Sequence, residues 1–174
     1  MKYIGMIWVL GCLLFARVVC ADDVTVEYKI KAGYLYNFTK FIAWSADMSQ
    51  NFNLCILGDD PFGELIEPIQ DRVAFEKAIK LFRFEDYKDK QNNLHCHILF
   101  VDANVKVPVA NKELNNTLVV GEGAEFINQG GMIGFVNKQD KIKLQINLKT
   151  LKLSGLKVSA KLLEVADVVK GEEK

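Results

Sequence analysis

The sequence predicts an α/β fold: one domain, with a mixed β-sheet of about five to six strands flanked by helices and a C-terminal β-hairpin and helix. Three observations predict it. Short apolar runs closed by turn residues recur along the chain, with helical spacing between them. Lys141 to Leu148 alternates strictly between polar and apolar side chains, as a half-exposed hairpin strand does. No repeat and no linker rich in Pro, Gly or Ser divides the 174 residues, a length that suits one domain.

The first twenty-one residues stand apart. Lys2 precedes an apolar run from Ile4 to Phe15, and Ala21 supplies a small residue at the expected cut, the pattern of a cleaved export signal. Arg17 interrupts the run before it reaches the ~20 residues of a membrane span, so a retained anchor is the weaker reading. Lipidation at Cys12, after Val9-Leu10-Gly11, fits less well because the apolar run continues past it, and Cys20 follows two valines where such sites use a small residue. Residues 1–21 are thus read as a signal peptide and 22–174 as the domain, which predicts an exported, periplasmic protein.

From Val24 to Ile42 the apolar residues Val26, Ile30, Tyr34, Phe38 and Phe41 keep helical spacing, predicting a helix that lays an aromatic stripe on a sheet. Phe52–Leu57 reads as a buried strand ending in the Gly58-Asp59-Asp60-Pro61 turn. Phe62–Ile69 reads as a short helix with Pro61 at its start. Strands follow at Ile79–Phe84, His97–Val101, Thr117–Val120 and Met132–Val136, with a polar turn at Glu85–Gln91. Gly121–Asn128 reads as a helical turn that points Phe126 and Ile127 inward. After the alternating strand comes a helix over Lys149–Ser154, stopped by Gly155. A last helix is capped by Ser159, with Leu162, Leu163, Ala166 and Val169 at helical spacing. In the common doubly wound order the first and third strands are neighbours.

Composition excludes several functions. Lys and Arg number 22, as do Asp and Glu, so no excess of positive charge is present to neutralise phosphates, and no nucleic-acid partner is expected. With half its residues hydrophobic the chain is too apolar for disorder, yet it is too polar for a multi-span membrane protein.

Export changes the meaning of the cysteines. Losing the leader leaves Cys55 and Cys96, which in an oxidising compartment predict one disulfide; two separate buried thiols are the alternative. His95-Cys96-His97 is the one cluster that invites a metal. On a strand His95 and His97 share a face and Cys96 opposes them. Two histidines are half a zinc site, and the remaining ligands would have to be carboxylates. The plain alternative is two polar residues at the mouth of a strand. A Cys–His nucleophile fails on the same geometry. Gly121-Glu122-Gly123 lacks the third glycine and the lysine of a phosphate loop. No nucleophile, base and anion hole come together, so no catalytic residue and no cofactor are expected. The residues predict a binding or regulatory module rather than an enzyme.

Several segments resemble the YfiR family (YfiR/HmsC-like) of small periplasmic proteins. They are Lys31–Trp44 (KAGYLYNFTKFIAW), Phe52–Gly58 (FNLCILG), Leu94–Val101 (LHCHILFV), Gly130–Val136 (GGMIGFV), Gln145–Leu148 (QINL) and Ser154–Leu163 (SGLKVSAKLL). The resemblance implies a mixed α/β domain that often dimerises and that regulates rather than catalyses. It implies binding to the periplasmic sensor domain of an inner-membrane diguanylate cyclase, held inactive to limit cyclic-di-GMP and biofilm formation. It further implies an outer-membrane lipoprotein that sequesters the regulator. Cys55 and Cys96 match a cysteine pair of the family; Phe135 and Val136 stand where some relatives carry a second pair.

Residue logic places the partner contact around Phe135, Asn147 and Leu156, since hairpin ends and exposed apolar residues make contacts. Phe135 as simple core is the competing reading. A periplasmic small-ligand or metal-binding protein using His95, His97 and acids is the alternative function.

Overall fold

A computed structural model describes residues 21–89, 94–105 and 114–169. The predicted signal peptide therefore lies, but for Ala21, outside the described residues. Among the described residues no helix is long and apolar enough to cross a membrane.

Helix α1 (Ala21–Phe41) runs into a two-residue strand β1 (Ile42–Ala43). The central strand β2 (Phe52–Leu57) is buried along its whole length, which is why it reads as an unbroken apolar run. A 3-10 helix (Gly63–Asp71) follows, then β3 (Val73–Ala74), β4 (Lys77–Phe84) and β5 (Ile98–Val101). Next are β6 (Leu118–Glu122), α2 (Gly123–Asn128) and the hairpin of β7 (Ile133–Lys138) and β8 (Lys141–Asn147). The chain closes with α3 (Leu148–Leu153), β9 (Lys157–Val158), α4 (Ala160–Glu164) and β10 (Asp167–Val169).

The fold is the expected mixed α/β class. The main sheet has the order β10-β8-β7-β6-β5-β2-β4-β3, and β1 pairs with β9 in a separate two-stranded ribbon. Strands β4, β2, β5, β6 and β7 are parallel; β7 and β8 form the predicted antiparallel hairpin. As expected, β2 lies beside β5, with Leu54 opposite Ile98. The sheet exceeds five to six strands because very short strands extend both edges.

Two elements differ from the sequence expectation. The helix after Pro61 is 3-10, and it contains Pro68. A proline there removes an amide donor and crowds the preceding turn, which works against a regular α-helix. The C-terminal helix stops at Glu164, and Asp167–Val169 instead pairs with Gln145–Asn147 of β8. Val168 and Val169 are β-branched and suit the extended state, and their pairing covers what would otherwise be the edge of β8.

The core lies between α1 and the sheet. Leu35 and Phe38 are fully covered, and Tyr34 and Phe38 meet the ring of Phe135 at 5.9 and 6.2 Å. Each such large apolar side chain contributes about 1.5–3 kcal/mol on burial. The Phe126 ring of α2 lies against Gly121 and Gly131, where a Cβ would stand 2.6 and 2.2 Å from its carbons. Gly121 thus serves close packing and Gly123 takes a positive φ of 82°, which accounts for the Gly121-Glu122-Gly123 pattern without a phosphate.

Candidate functional site

The site is assembled at the entrance to β5. Strand β2 continues its ladder ahead of the start of β5 and clamps the segment 95–97: His97 N–H donates to Asn53 O at 2.8 Å, and the Asn53 side-chain amide donates to His95 O at 2.7 Å. On the other side Leu118 N–H and the Trp44 indole N–H both donate to His97 O, at 2.8 and 3.0 Å. The loop after β1 is held in turn by Asn116, whose amide bonds Ser45 in both directions at 2.9 and 3.1 Å. Asp47 is carried on that loop.

Alternation along 95–97 has the predicted result. Cys96 turns into the core and is bonded to Cys55, while His95 and His97 turn together, their rings 4.9 Å apart. Asp47 meets them. Its Oδ2 lies 2.7 Å from His97 Nε2 and 3.8 Å from His95 Nε2, and its Oδ1 accepts from Lys77 Nζ at 2.7 Å and from Ser49 N–H at 2.9 Å. His97 is 3% exposed, Asp47 19% and His95 27%. The Phe52 ring stacks on His97 at 4.4 Å.

The protonation of His97 follows from its partners. Nδ1 accepts from the buried Asn53 N–H at 2.9 Å, so the proton of the neutral ring sits on Nε2, facing Asp47. Burial is the main cause that lowers His97 to about 4; its contact with Asp47 opposes this, and the charges of His95 and Lys77 add to it. For Asp47, burial alone would raise the carboxyl. The bonds from Lys77 and Ser49 and the nearby charges outweigh it, and the group is lowered to about 2. At neutral pH the cluster is therefore an aspartate beside a neutral imidazole.

A cavity of about 290 Å³ opens beside the cluster. Trp44, Phe52 and Phe75 form its apolar wall, and Asp47, Lys77 and His97 its polar one. Phe75 and Glu76 form the tight turn between β3 and β4, both at positive φ (52° and 63°), a conformation that costs a non-glycine residue energy. Asp47, His95 and His97 are the residues here that could hold a metal ion: one donor atom from each lies within 4.8 Å of the others.

The predicted contact residues lie elsewhere and inside. Phe135, Asn147 and Leu156 are 3, 8 and 2% exposed. Phe135 packs on α1, the core role weighed against contact. Asn147 ends β8 and caps α3, accepting from Thr150 N–H at 3.1 Å. All three are buried in the folded chain. The exposed large apolar side chains include Val24, Val26 and Ile30 on α1, and Leu153, Val165 and Val168 near the C-terminal edge.

Sequence reasoning missed Asp47 and Lys77. Neither belongs to a motif: Asp47 sits in an ordinary Ser-Ala-Asp-Met-Ser loop, far in sequence from His95. The one available signal was the demand that two histidines on one face make for a carboxylate.

Fold and site together define a small disulfide-closed α/β domain with a polar cluster at the mouth of a cavity. The chain belongs to the YfiR/HmsC-like family, whose model matches residues 28–167, from α1 to the first residue of β10. That family is one of periplasmic regulators of cyclic-di-GMP signalling. No curated protein matches the chain.

Proposed function

We propose that this chain is a periplasmic regulator, not an enzyme, that restrains an inner-membrane diguanylate cyclase by binding its periplasmic sensor domain. The match to the YfiR/HmsC-like family across residues 28–167 carries the reading. The Cys55–Cys96 bond, which suits an oxidising compartment, supports it. An outer-membrane lipoprotein that competes for the regulator, and a homodimer, belong to the same proposal.

The mechanism is linkage. A regulator that binds the inactive sensor more tightly than the active one shifts that equilibrium by its differential affinity and by nothing more. A hundredfold preference corresponds to about 2.7 kcal/mol, enough to turn an evenly poised cyclase largely off. We place the contact on the exposed apolar side chains Leu153, Val165 and Val168 near the C-terminal edge, since Phe135, Asn147 and Leu156 are buried.

Deletion of the gene, with cyclic-di-GMP measured, tests the reading. The nucleotide should rise and return to its starting level on complementation, and the tagged protein should recover a membrane protein with a periplasmic sensor and a cytoplasmic cyclase. Unchanged cyclic-di-GMP on both deletion and overproduction, with no such membrane protein recovered, would refute it.

A further inference from the structure

We propose that Asp47, His95 and His97 bind one divalent transition-metal ion of the zinc class, reached through the adjacent cavity. This goes beyond the regulatory reading and does not depend on which partner the protein restrains.

The geometry is that of ligands around a common point. Asp47 Oδ2 is 2.7 Å from one imidazole nitrogen and 3.8 Å from the other. A tetrahedral ion with bonds of about 2.0 Å sets its ligand atoms about 3.3 Å apart, between those two values. Small side-chain rotations close the difference, and His95, 27% exposed, is the most accessible of the three. The short contact between Asp47 and His97 also lacks hydrogen-bond alignment: Oδ2 is sealed from solvent yet accepts no well-formed bond. Groups that converge on an ion approach one another off-axis in this way.

The chemistry of the donors narrows the ion. Two imidazoles and a carboxylate suit zinc and its transition-metal neighbours and do not favour magnesium or calcium. Three protein ligands leave a position for water, and the cavity beside Asp47 and His97 supplies the room. Lys77 holds Oδ1 at 2.7 Å, which orients the carboxylate and leaves Oδ2 toward the histidines.

Binding has a defined consequence. In the metal-free protein the ring proton of His97 is on Nε2, because Nδ1 accepts from Asn53 N–H. An ion on Nε2 requires that proton to move to Nδ1, so the neutral ring keeps one proton and the Asn53 amide loses its acceptor. Each binding event therefore breaks one bond where β2 meets the segment before β5. That cost lowers the affinity, and it couples occupancy to the backbone that carries Cys96.

The test is calorimetric titration of zinc into the protein with its disulfide intact and any free thiols alkylated, repeated for His95→Ala and Asp47→Asn, with circular dichroism confirming the fold of each. One ion per chain is expected, with affinity at least tenfold weaker in each folded variant and no comparable magnesium binding. Nitrogen-15 spectra should show the His97 proton on Nδ1 in the zinc-saturated protein and a shifted Asn53 amide. No saturable zinc binding, a His95→Ala protein that titrates like the parent, or a His97 ring that keeps its Nε2 proton at saturation would each overturn the proposal.

Discussion

Acid should destabilise this protein through one buried imidazole, at a higher pH than the loss that Asp47 brings. His97 has its folded value lowered to about 4 from 6.5. Below pH 6.5 the unfolded chain takes a proton at this position and the folded chain does not, so unfolding gains protons and stability falls as pH falls. The loss runs from about pH 6.5 to about pH 4 and then levels off. About 2.5 pH units at about 1.4 kcal/mol each give a loss of about 3 kcal/mol. The structural reason is that a protonated His97 would set an Nδ1–H against the Asn53 N–H, 2.9 Å away, in a closed pocket. Urea denaturation from pH 7 to pH 4 measures this. At about 1–3 kcal/mol per molar urea the midpoint should drop by about 1–3 M. His97→Phe, which keeps a ring over Phe52, should start less stable, because Asn53 N–H is orphaned, but should lose most of the slope. Equal slopes in the two proteins would refute the reasoning. Should the variant fail to fold, direct titration of the His97 ring by nitrogen-15 spectroscopy decides the matter, and a value near 6.5 refutes it equally.

Other outcomes follow from single contacts. Replacing both Cys55 and Cys96 with Ala should cost about 4 kcal/mol in thermal or urea unfolding, from the loss of the 41-residue link between them. Phe135→Ala should cost about 3–5 kcal/mol, since the ring is buried against Tyr34 and Phe38; a neutral effect on stability would return Phe135 to the surface role. Asn147→Ala removes the cap of α3 and should cost about 1 kcal/mol, read as a shift in urea midpoint. Below pH 4 a further loss should appear as Asp47, lowered to about 2 from 3.8, gives up its contacts with Lys77 and Ser49; Lys77→Met should shrink that acid-limb step.

Much of the architecture was legible because it is written in local pattern. The aromatic stripe of α1, the unbroken run of β2, the alternation of β8 and the Ser159 cap all report burial or backbone satisfaction within a few residues. What failed was set from a distance. Val169 keeps helical spacing with Leu162, but it follows β-branched Val168 and an edge of β8 open to pairing, and sheet pairing won. Asn147 alternates with exposed Lys141 and Lys143, yet the chain turns into a helix there, so its side chain is drawn inward as a cap. Phe135 is covered by a helix that lies a hundred residues earlier in the chain. The polar cluster was half visible, because period-two alternation places His95 with His97. Its third member comes from a loop whose position is fixed by Asn116 and Trp44, contacts that no spacing rule anticipates.

The three residues before β5 join two features that the sequence shows separately. Cys96 faces the core and ties the segment to β2, while His95 and His97, on either side of it, face Asp47 and the cavity. The backbone between them is held by Asn53 on one side and by Leu118, Trp44 and Thr117 on the other. A short peptide whose backbone is held at so many points shares any backbone shift among its three residues. A change in the charge or protonation of the histidines is therefore expected to reach the disulfide through this backbone, and loss of the disulfide to reach the histidines. Under the function proposed above, such a segment offers one place where two chemical inputs bias the same fold. The coupling is measurable: breaking the Cys55–Cys96 bond should shift the His97 titration, and a titration unmoved by reduction would show the two faces to be independent.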